Sequence, residues 1–173
     1  HVCLTSAATE ALGAMFLWAV EPGDEVTIFT PAYDSYAPMV RRAGATPREV
    51  ALRRPLWNID RAAIEAALSD RTRAIIFNNP QNPTGRLYGK DEIQIIADIA
   101  VAHDLTVISD EVWEHVLLHG EQFLPLASLP GMAERTLKAG SAGKIFSLTG
   151  WKVGWIVASP ENAAVAARAH QFL

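Results

Sequence analysis

Lys144 is one of four lysines in the chain, and three of the four fall between 138 and 152. It sits in Ala139-Gly-Ser-Ala-Gly-Lys-Ile-Phe-Ser-Leu-Thr-Gly-Trp-Lys152, a stretch rich in Gly, Ser and Thr that follows a strand-like run. Backbone amides and hydroxyls gather around an anion in such segments. A lysine withdrawn from water there has a lowered pKa and attacks a carbonyl. A loop lysine taken at random is far more often a solvated surface group. Asp110 follows the mostly apolar Leu105-Thr-Val-Ile-Ser109, which places a carboxylate at a strand tip, half withdrawn from water, where it needs a partner. Taken alone, a purely structural role, as a cap for Val112 onward or as one half of a salt bridge, is about as expected as a functional one. Asn78-Asn-Pro-Gln-Asn-Pro-Thr-Gly85 is the most distinctive segment. Each proline fixes its own φ and restricts the residue before it, so a doubled Asn-Pro makes a rigid loop able to aim an Asn amide at one spot. The plain alternative is a turn that uses Asn and Pro for geometry alone.

These residues need a scaffold, and the hydrophobic pattern supplies one. Helical spacing runs over Thr9 to Val20, with Glu-Pro-Gly at 21–23 as the stop, and over Asp60 to Leu68 and Asp91 to His103. Tyr33 to Ala43 reads as a helix with Pro38 inside it. Short apolar or β-branched runs at Glu25 to Thr30, Thr46 to Leu52, Arg73 to Phe77, Leu105 to Ser109, Thr136 to Ala139 and Trp155 to Ala158 read as strands. His1 to Thr5 reads as the tail of another, and Pro160 opens a last helix. The alternation predicts one α/β domain over residues 1–173, a three-layer α/β/α sandwich around a mostly parallel sheet. Ligands in such sheets lie outside the carboxyl ends of the strands. That rule selects the Thr5–Thr9 turn, Pro31–Tyr33, Asn78–Gly85 and Asp110.

The composition narrows the function. Half of the 173 residues are hydrophobic, a fifth are charged, and the net charge is −4. This is the profile of an ordinary globular domain, and with no basic tract a nucleic-acid surface is not expected. A lone Cys3 builds no disulfide framework. No apolar run is long enough to span a membrane and no leader segment is evident, so the expectation is a cytoplasmic protein. The first residues lack the start of their strand and the last lie inside a helical run without a stop signal, which suggests a piece of a longer chain.

One alternative combines Leu105-Thr-Val-Ile-Ser-Asp-Glu111, which looks like a Walker B strand, with Gly140-Ser-Ala-Gly-Lys144 as a phosphate loop. The spacing fails. A phosphate loop needs glycines five apart, then Lys, then Ser or Thr. Here Lys138 stands five residues before Gly143, Ile145 follows Lys144, and the segment lies on the wrong side of the acidic strand.

Four motifs in order carry a resemblance: Thr5-Ser-Ala-Ala-Thr-Glu-Ala11, Pro31-Ala-Tyr-Asp-Ser-Tyr36, Asn79-Pro-Gln-Asn-Pro-Thr-Gly85, and Ser109-Asp-Glu-Val-Trp-Glu114 followed by Ser141 to Lys152. Over essentially its whole length the chain resembles the class I/II aminotransferases of pyridoxal-phosphate (PLP) fold type I, within the kynurenine–oxoglutarate and methionine aminotransferase branch. The resemblance implies the large cofactor-binding domain, lacking an N-terminal segment and a C-terminal small domain. It implies PLP as cofactor, amino acid and 2-oxo acid substrates, a homodimer, and no metal. It assigns Lys144 the aldimine with the cofactor aldehyde and Asp110 the pyridine nitrogen. Asn82 would bond the ring oxygen O3′ and help hold the substrate carboxylate, and Tyr33 would stack on the ring. The amides of Ala7 and Ala8, with Ser141 and Lys152, would hold the phosphate at a helix start. Two positions depart from the family pattern. Ala7 stands where Gly is usual, so its methyl crowds the phosphate or the loop shifts. Trp113 replaces a Tyr whose hydroxyl reaches O3′, and it has only an indole N–H to offer. The expected reaction is transfer of an amino group from an apolar or aromatic amino acid to a 2-oxo acid. A PLP-dependent cysteine-conjugate β-lyase and an aminotransferase-like transcription regulator are the alternatives.

Overall fold

The β-branched and apolar runs become seven strands of one sheet, and the computed structural model describes residues 1–118, 120–171 and 173. Strands β1 (Val2–Ser6), β2 (Glu25–Thr30), β3 (Thr46–Ala51), β4 (Thr72–Asn78), β5 (Thr106–Asp110), β6 (Thr136–Ser141) and β7 (Val153–Val157) alternate with helices α1 (Ala7–Ala19), α2 (Tyr36–Arg42), α3 (Arg61–Ala67), α4 (Lys90–Ala102), α5 (Ala142–Ile145) and α6 (Pro160–His170). The sheet order is β1-β7-β6-β5-β4-β2-β3. Only β7 runs against its neighbours, pairing antiparallel with both β1 and β6. The mostly parallel α/β sheet expected from the alternation is present.

Side chains on a strand alternate between faces, and the central strands are apolar on both. Ile76 and Ile108 pack with Leu12, Met15 and Phe16 of α1, Val40 of α2 and Ala166 of α6. Their neighbours Ile75, Phe77 and Val107 pack on the opposite side with Ile64 of α3 and Ile93, Ile96 and Ile99 of α4. Two cores, one on each face, give the three layers.

Three differences from the sequence expectation have simple causes. The second helix begins at Tyr36 rather than Tyr33, which puts Pro38 in its first turn, where no intrahelical N–H bond is lost. The first helix begins two residues early, at Ala7, directly after the tip of β1. The Gly-rich stretch after β6 contains a single turn of helix, α5, too short to leave a periodic signature.

Register places the sheet's functional edge. Asn78 of β4 lies beside Asp110 of β5, and Asp110 beside Ala139 of β6. Ser6 at the end of β1 pairs with Val153 at the start of β7, and Ser141 at the end of β6 pairs with Gly154. The carboxyl ends of β1, β4, β5 and β6 and the entry to β7 therefore meet at one edge of the sheet.

Candidate active site

A cleft of about 190 Å³ opens at that edge, and it is lined by all nine residues singled out from the sequence: Ala7, Ala8, Tyr33, Asn82, Asp110, Trp113, Ser141, Lys144 and Lys152. Thr9, Asn78, Gly143 and Thr149 complete its polar wall.

Asp110 forms the floor. It is only 4% exposed. Its Oδ2 accepts a hydrogen bond from the Tyr36 hydroxyl at 2.6 Å, and its Oδ1 accepts the Val112 N–H at 3.3 Å. Burial pushes the carboxyl upward, while the Tyr36 bond, the Val112 bond and the charge of Lys144 oppose that push. The local capping contact with Val112 and the ligand-facing position thus coexist. The Asp110 backbone is held as firmly: its carbonyl accepts the Asn79 N–H at 3.1 Å and the Asn78 Nδ2 at 2.9 Å.

Asn78 also fixes the Asn-Pro loop. Its Oδ1 accepts the Asn82 backbone N–H at 2.7 Å. Gln81 donates to the Pro31 carbonyl at 2.6 Å, and its Oε1 accepts the Thr84 N–H at 3.0 Å. These bonds position Asn82 on the cleft and tie its loop to the one carrying Tyr33. Sequence reasoning gave no role to Asn78 or Tyr36, although both stood inside the quoted segments. Their signal was the motif, but their partners lie 32 and 74 residues away.

Lys144 differs from expectation. It is not withdrawn from water: α5 is one turn at the rim of the cleft, and Lys144 is exposed there. Its Nζ lies 4.9 Å from the centroid of the Trp113 ring, a cation–π contact. Trp113 thereby faces the amine as well as the cleft. Lys138, in contrast, is committed: its Nζ pairs with Glu111 at 3.2 Å and with Glu114. Burial pushes Glu111 upward and Lys138 opposes that, so this group is a self-contained ion cluster beside the site.

The phosphate end also carries a correction. Ala7 lines the cleft, but its N–H donates to the Lys152 carbonyl at 2.9 Å, so that amide is spent. Ser6 makes no side-chain cap to α1. Among the described residues the amides of Ala8 and Thr9 have no hydrogen-bond acceptor, and both residues line the cleft at the positive end of a 13-residue helix. Ala7 adopts φ 68°, a left-handed conformation that Gly takes without strain and that costs Ala on the order of 1 kcal/mol. Opposite it, a Cβ built on Gly154 would come within 2.4 Å of the Ala7 carbonyl carbon and 2.6 Å of the Ala8 nitrogen. Only glycine lets β7 approach the helix start this closely. Ser141 Oγ accepts the Gly143 N–H at 3.1 Å, which leaves its own proton to donate.

Free helix-start amides, a hydroxyl and a lysine at one end, a buried carboxylate on the floor, an aromatic wall and a reachable amine fit a phosphorylated pyridine aldehyde. A seven-stranded sheet with one antiparallel strand and this set of groups defines a fold type I PLP-binding domain. The chain belongs to the class I and II aminotransferase family, whose model matches residues 1–173, and members of this family depend on PLP.

Individual relatives agree. The chain is 47% identical over 163 residues to kynurenine–oxoglutarate transaminase 3 of Mus musculus, covering 87% of this chain and 36% of that protein. It is 46% identical over 179 residues to the probable N-succinyldiaminopimelate aminotransferase DapC of Mycobacterium tuberculosis, covering 100% of this chain and 44% of the relative. The solved structure of the M. tuberculosis N-succinyldiaminopimelate aminotransferase superposes with a TM-score of 0.96, over 99% of this chain and 45% of that one. YbdL of Escherichia coli, with a methionine aminotransferase function, gives 0.95 at 36% identity over the same shares. The chain thus spans less than half the length of these relatives. All of these relatives are transaminases or aminotransferases by name, which favours that reading over the lyase and the regulator.

Proposed function

We propose that the full-length protein is a homodimeric PLP-dependent aminotransferase that moves an amino group from an apolar or aromatic amino acid to a 2-oxo acid. The observation that carries this is the convergence of Lys144, Asp110, Asn82 and the free Ala8 and Thr9 amides on one cleft. When bound, the cofactor supplies an aldehyde that captures amines and a ring that withdraws electrons from the substrate's α-carbon. The chain's own residues do the rest. Ala8, Thr9, Ser141 and Lys152 bind the phosphate, and Tyr33 covers the ring. Asp110 keeps a proton at the ring nitrogen, and Asn82 orients the ring oxygen and the substrate carboxylate. The Lys144 amine would hold the cofactor between turnovers and would move the proton at the substrate's α-carbon.

The preference for an apolar side chain is supported by a second hollow that shares Asn82 and Trp113 with the cleft and continues over Leu87, Val116, Leu117 and Leu118. The relatives are named for kynurenine, N-succinyldiaminopimelate and methionine, so family membership supports the reaction more strongly than the side chain. The homodimer is supported by Phe146, Leu148 and Trp151, exposed apolar residues that flank the Lys144 turn.

The test is a panel of amino and 2-oxo acids given to full-length protein with PLP, alongside Lys144→Ala. Wild type should transaminate apolar and aromatic substrates, and the variant should fall to background. Borohydride reduction followed by peptide mapping should place the cofactor on Lys144. Labelling of Lys138 or Lys152 instead would refute the assignment.

A further inference from the structure

Tyr36 does not line the cleft. It lies 3% exposed beneath it, and its hydroxyl donates to Asp110 Oδ2 at 2.6 Å. We propose that Tyr36 is a positioning residue that keeps Asp110 anionic, and through Asp110 keeps the cofactor's ring nitrogen protonated. The inference rests on the reading of Asp110 as the partner of that nitrogen.

The argument begins with a cost. A carboxylate as buried as Asp110 is driven toward its neutral form unless hydrogen bonds favour the charge. Among the described residues two donors reach the carboxylate oxygens, Tyr36 and Val112, and the Val112 bond is the longer at 3.3 Å. A charge-assisted O–H···O⁻ bond of 2.6 Å is of the strong kind. The donor holds its own proton under these conditions, because burial and the Asp110 charge push the Tyr36 phenol well above its ordinary value. Tyr36 therefore acts as a fixed dipole aimed at the carboxylate.

The consequence for the ring is a proton balance. One proton is shared between Asp110 and the pyridine nitrogen. A donor that stabilises the carboxylate leaves that proton on the nitrogen. Without the donor Asp110 becomes more basic and draws the proton toward itself, giving a neutral acid beside a neutral pyridine.

The surrounding structure locks Tyr36 into this role. Its ring packs edge-on against Tyr33, with centroids 5.5 Å apart and planes at 78°. The Tyr36 N–H donates to the Tyr33 carbonyl at 3.2 Å, so both aromatics come from one turn at the start of α2. Tyr33 faces the cleft and Tyr36 reaches under it. One turn thus supplies both the wall of the site and the support of its acidic floor.

The experiment uses full-length holoenzyme loaded with ring-¹⁵N-labelled PLP, in wild type, Tyr36→Phe and Asp110→Asn. Phe preserves the packing and removes only the hydroxyl, and thermal melting of the apo proteins confirms that the fold is kept. The wild-type nitrogen should resonate as a pyridinium. Tyr36→Phe should move it toward the unprotonated position and weaken equilibrium PLP binding by roughly tenfold or more. Asp110→Asn should abolish the pyridinium signal. A pyridinium resonance in Tyr36→Phe matching wild type, with Asp110→Asn shifted, would overturn the proposal and leave the reading of Asp110 intact. An unshifted Asp110→Asn would overturn both. Should the Phe variant fail to fold, 3-fluorotyrosine at position 36 keeps the shape and makes a stronger donor. It should hold the nitrogen at least as protonated as in wild type, and movement toward neutral pyridine would refute the role.

Discussion

At the residue scale, the site depends on one carboxylate whose burial works against the charge its role requires. Asp110 is held by Tyr36 and Val112 at its oxygens and by Asn78 and Asn79 at its carbonyl. Asp110→Asn keeps the volume and loses the charge that compensates a protonated ring. Loss of such a buried pair costs several kcal/mol, so turnover in the full-length enzyme should fall roughly a hundredfold or more. Steady-state kinetics with an apolar amino acid checks this, and near-normal kcat would contradict the role. Trp113 belongs to the same scale. The sequence shows only that a hydroxyl is missing there, whereas the fold turns its ring toward the Lys144 amine.

At the element scale, the approach of β7 to the start of α1 builds the phosphate end. The Ala7 N–H is tied to the Lys152 carbonyl, and Gly154 has no room for a methyl. Gly154→Ala should push the strand and the helix start apart. The expected cost is about 1–3 kcal/mol of stability, together with weaker PLP binding. Denaturant titration of the apo protein and cofactor titration measure the two effects separately. A change in neither would mean the backbone yields without loss. At the opposite edge, Glu25 on β2 is buried between Arg48 of β3, Arg71 and the Ser69 hydroxyl. The hydrogen bonds from Arg48 and Ser69 and the charges of Arg48 and Arg71 lower its pKa to about 2 against the opposing effect of burial. The folded value lies below the unfolded one. Its stabilisation is therefore complete above the ordinary value of 4.5 and is lost as pH falls toward 2. Glu25→Gln should lower Tm by a few degrees at neutral pH, and the gap from wild type should narrow progressively below pH 4.5. A gap that stays constant down to pH 2 would show that the charge is not what matters.

At the scale of the whole molecule, the carboxyl ends of β1, β4, β5 and β6, the Tyr33 segment after β2 and the entry to β7 meet at one edge because every strand but β7 points the same way. The 173 residues nevertheless span only 36–45% of the relatives named above, and Lys144 stands open to solvent on its single turn. A protein limited to these residues should bind PLP more weakly than the full-length enzyme and should not sustain transamination. Spectrophotometric cofactor titration and a coupled oxo-acid assay on both proteins test this. Full turnover by the 173-residue span would show that the rest of the length is dispensable.

The sequence determined the strand–helix alternation and the edge where ligands gather, and its resemblance to a known family supplied the nine residues on the cleft. The first two follow from local pattern: periodicity sets the elements, and rigid Asn-Pro turns or a carboxylate after an apolar run mark the strand tips. Local pattern did not extend to the pairings. That Tyr36 supports Asp110, that Asn78 clamps both Asp110 and Asn82, and that the Ala7 amide is spent on Lys152 while Ala8 and Thr9 are free depended on residues far apart in the chain being brought together. Nor did pattern indicate the exposure of Lys144, because one turn of helix has no period to read and burial is set by what packs over it. The tertiary structure decided these points because hydrogen-bond partners and solvent access depend on position in space, which spacing along the chain does not encode.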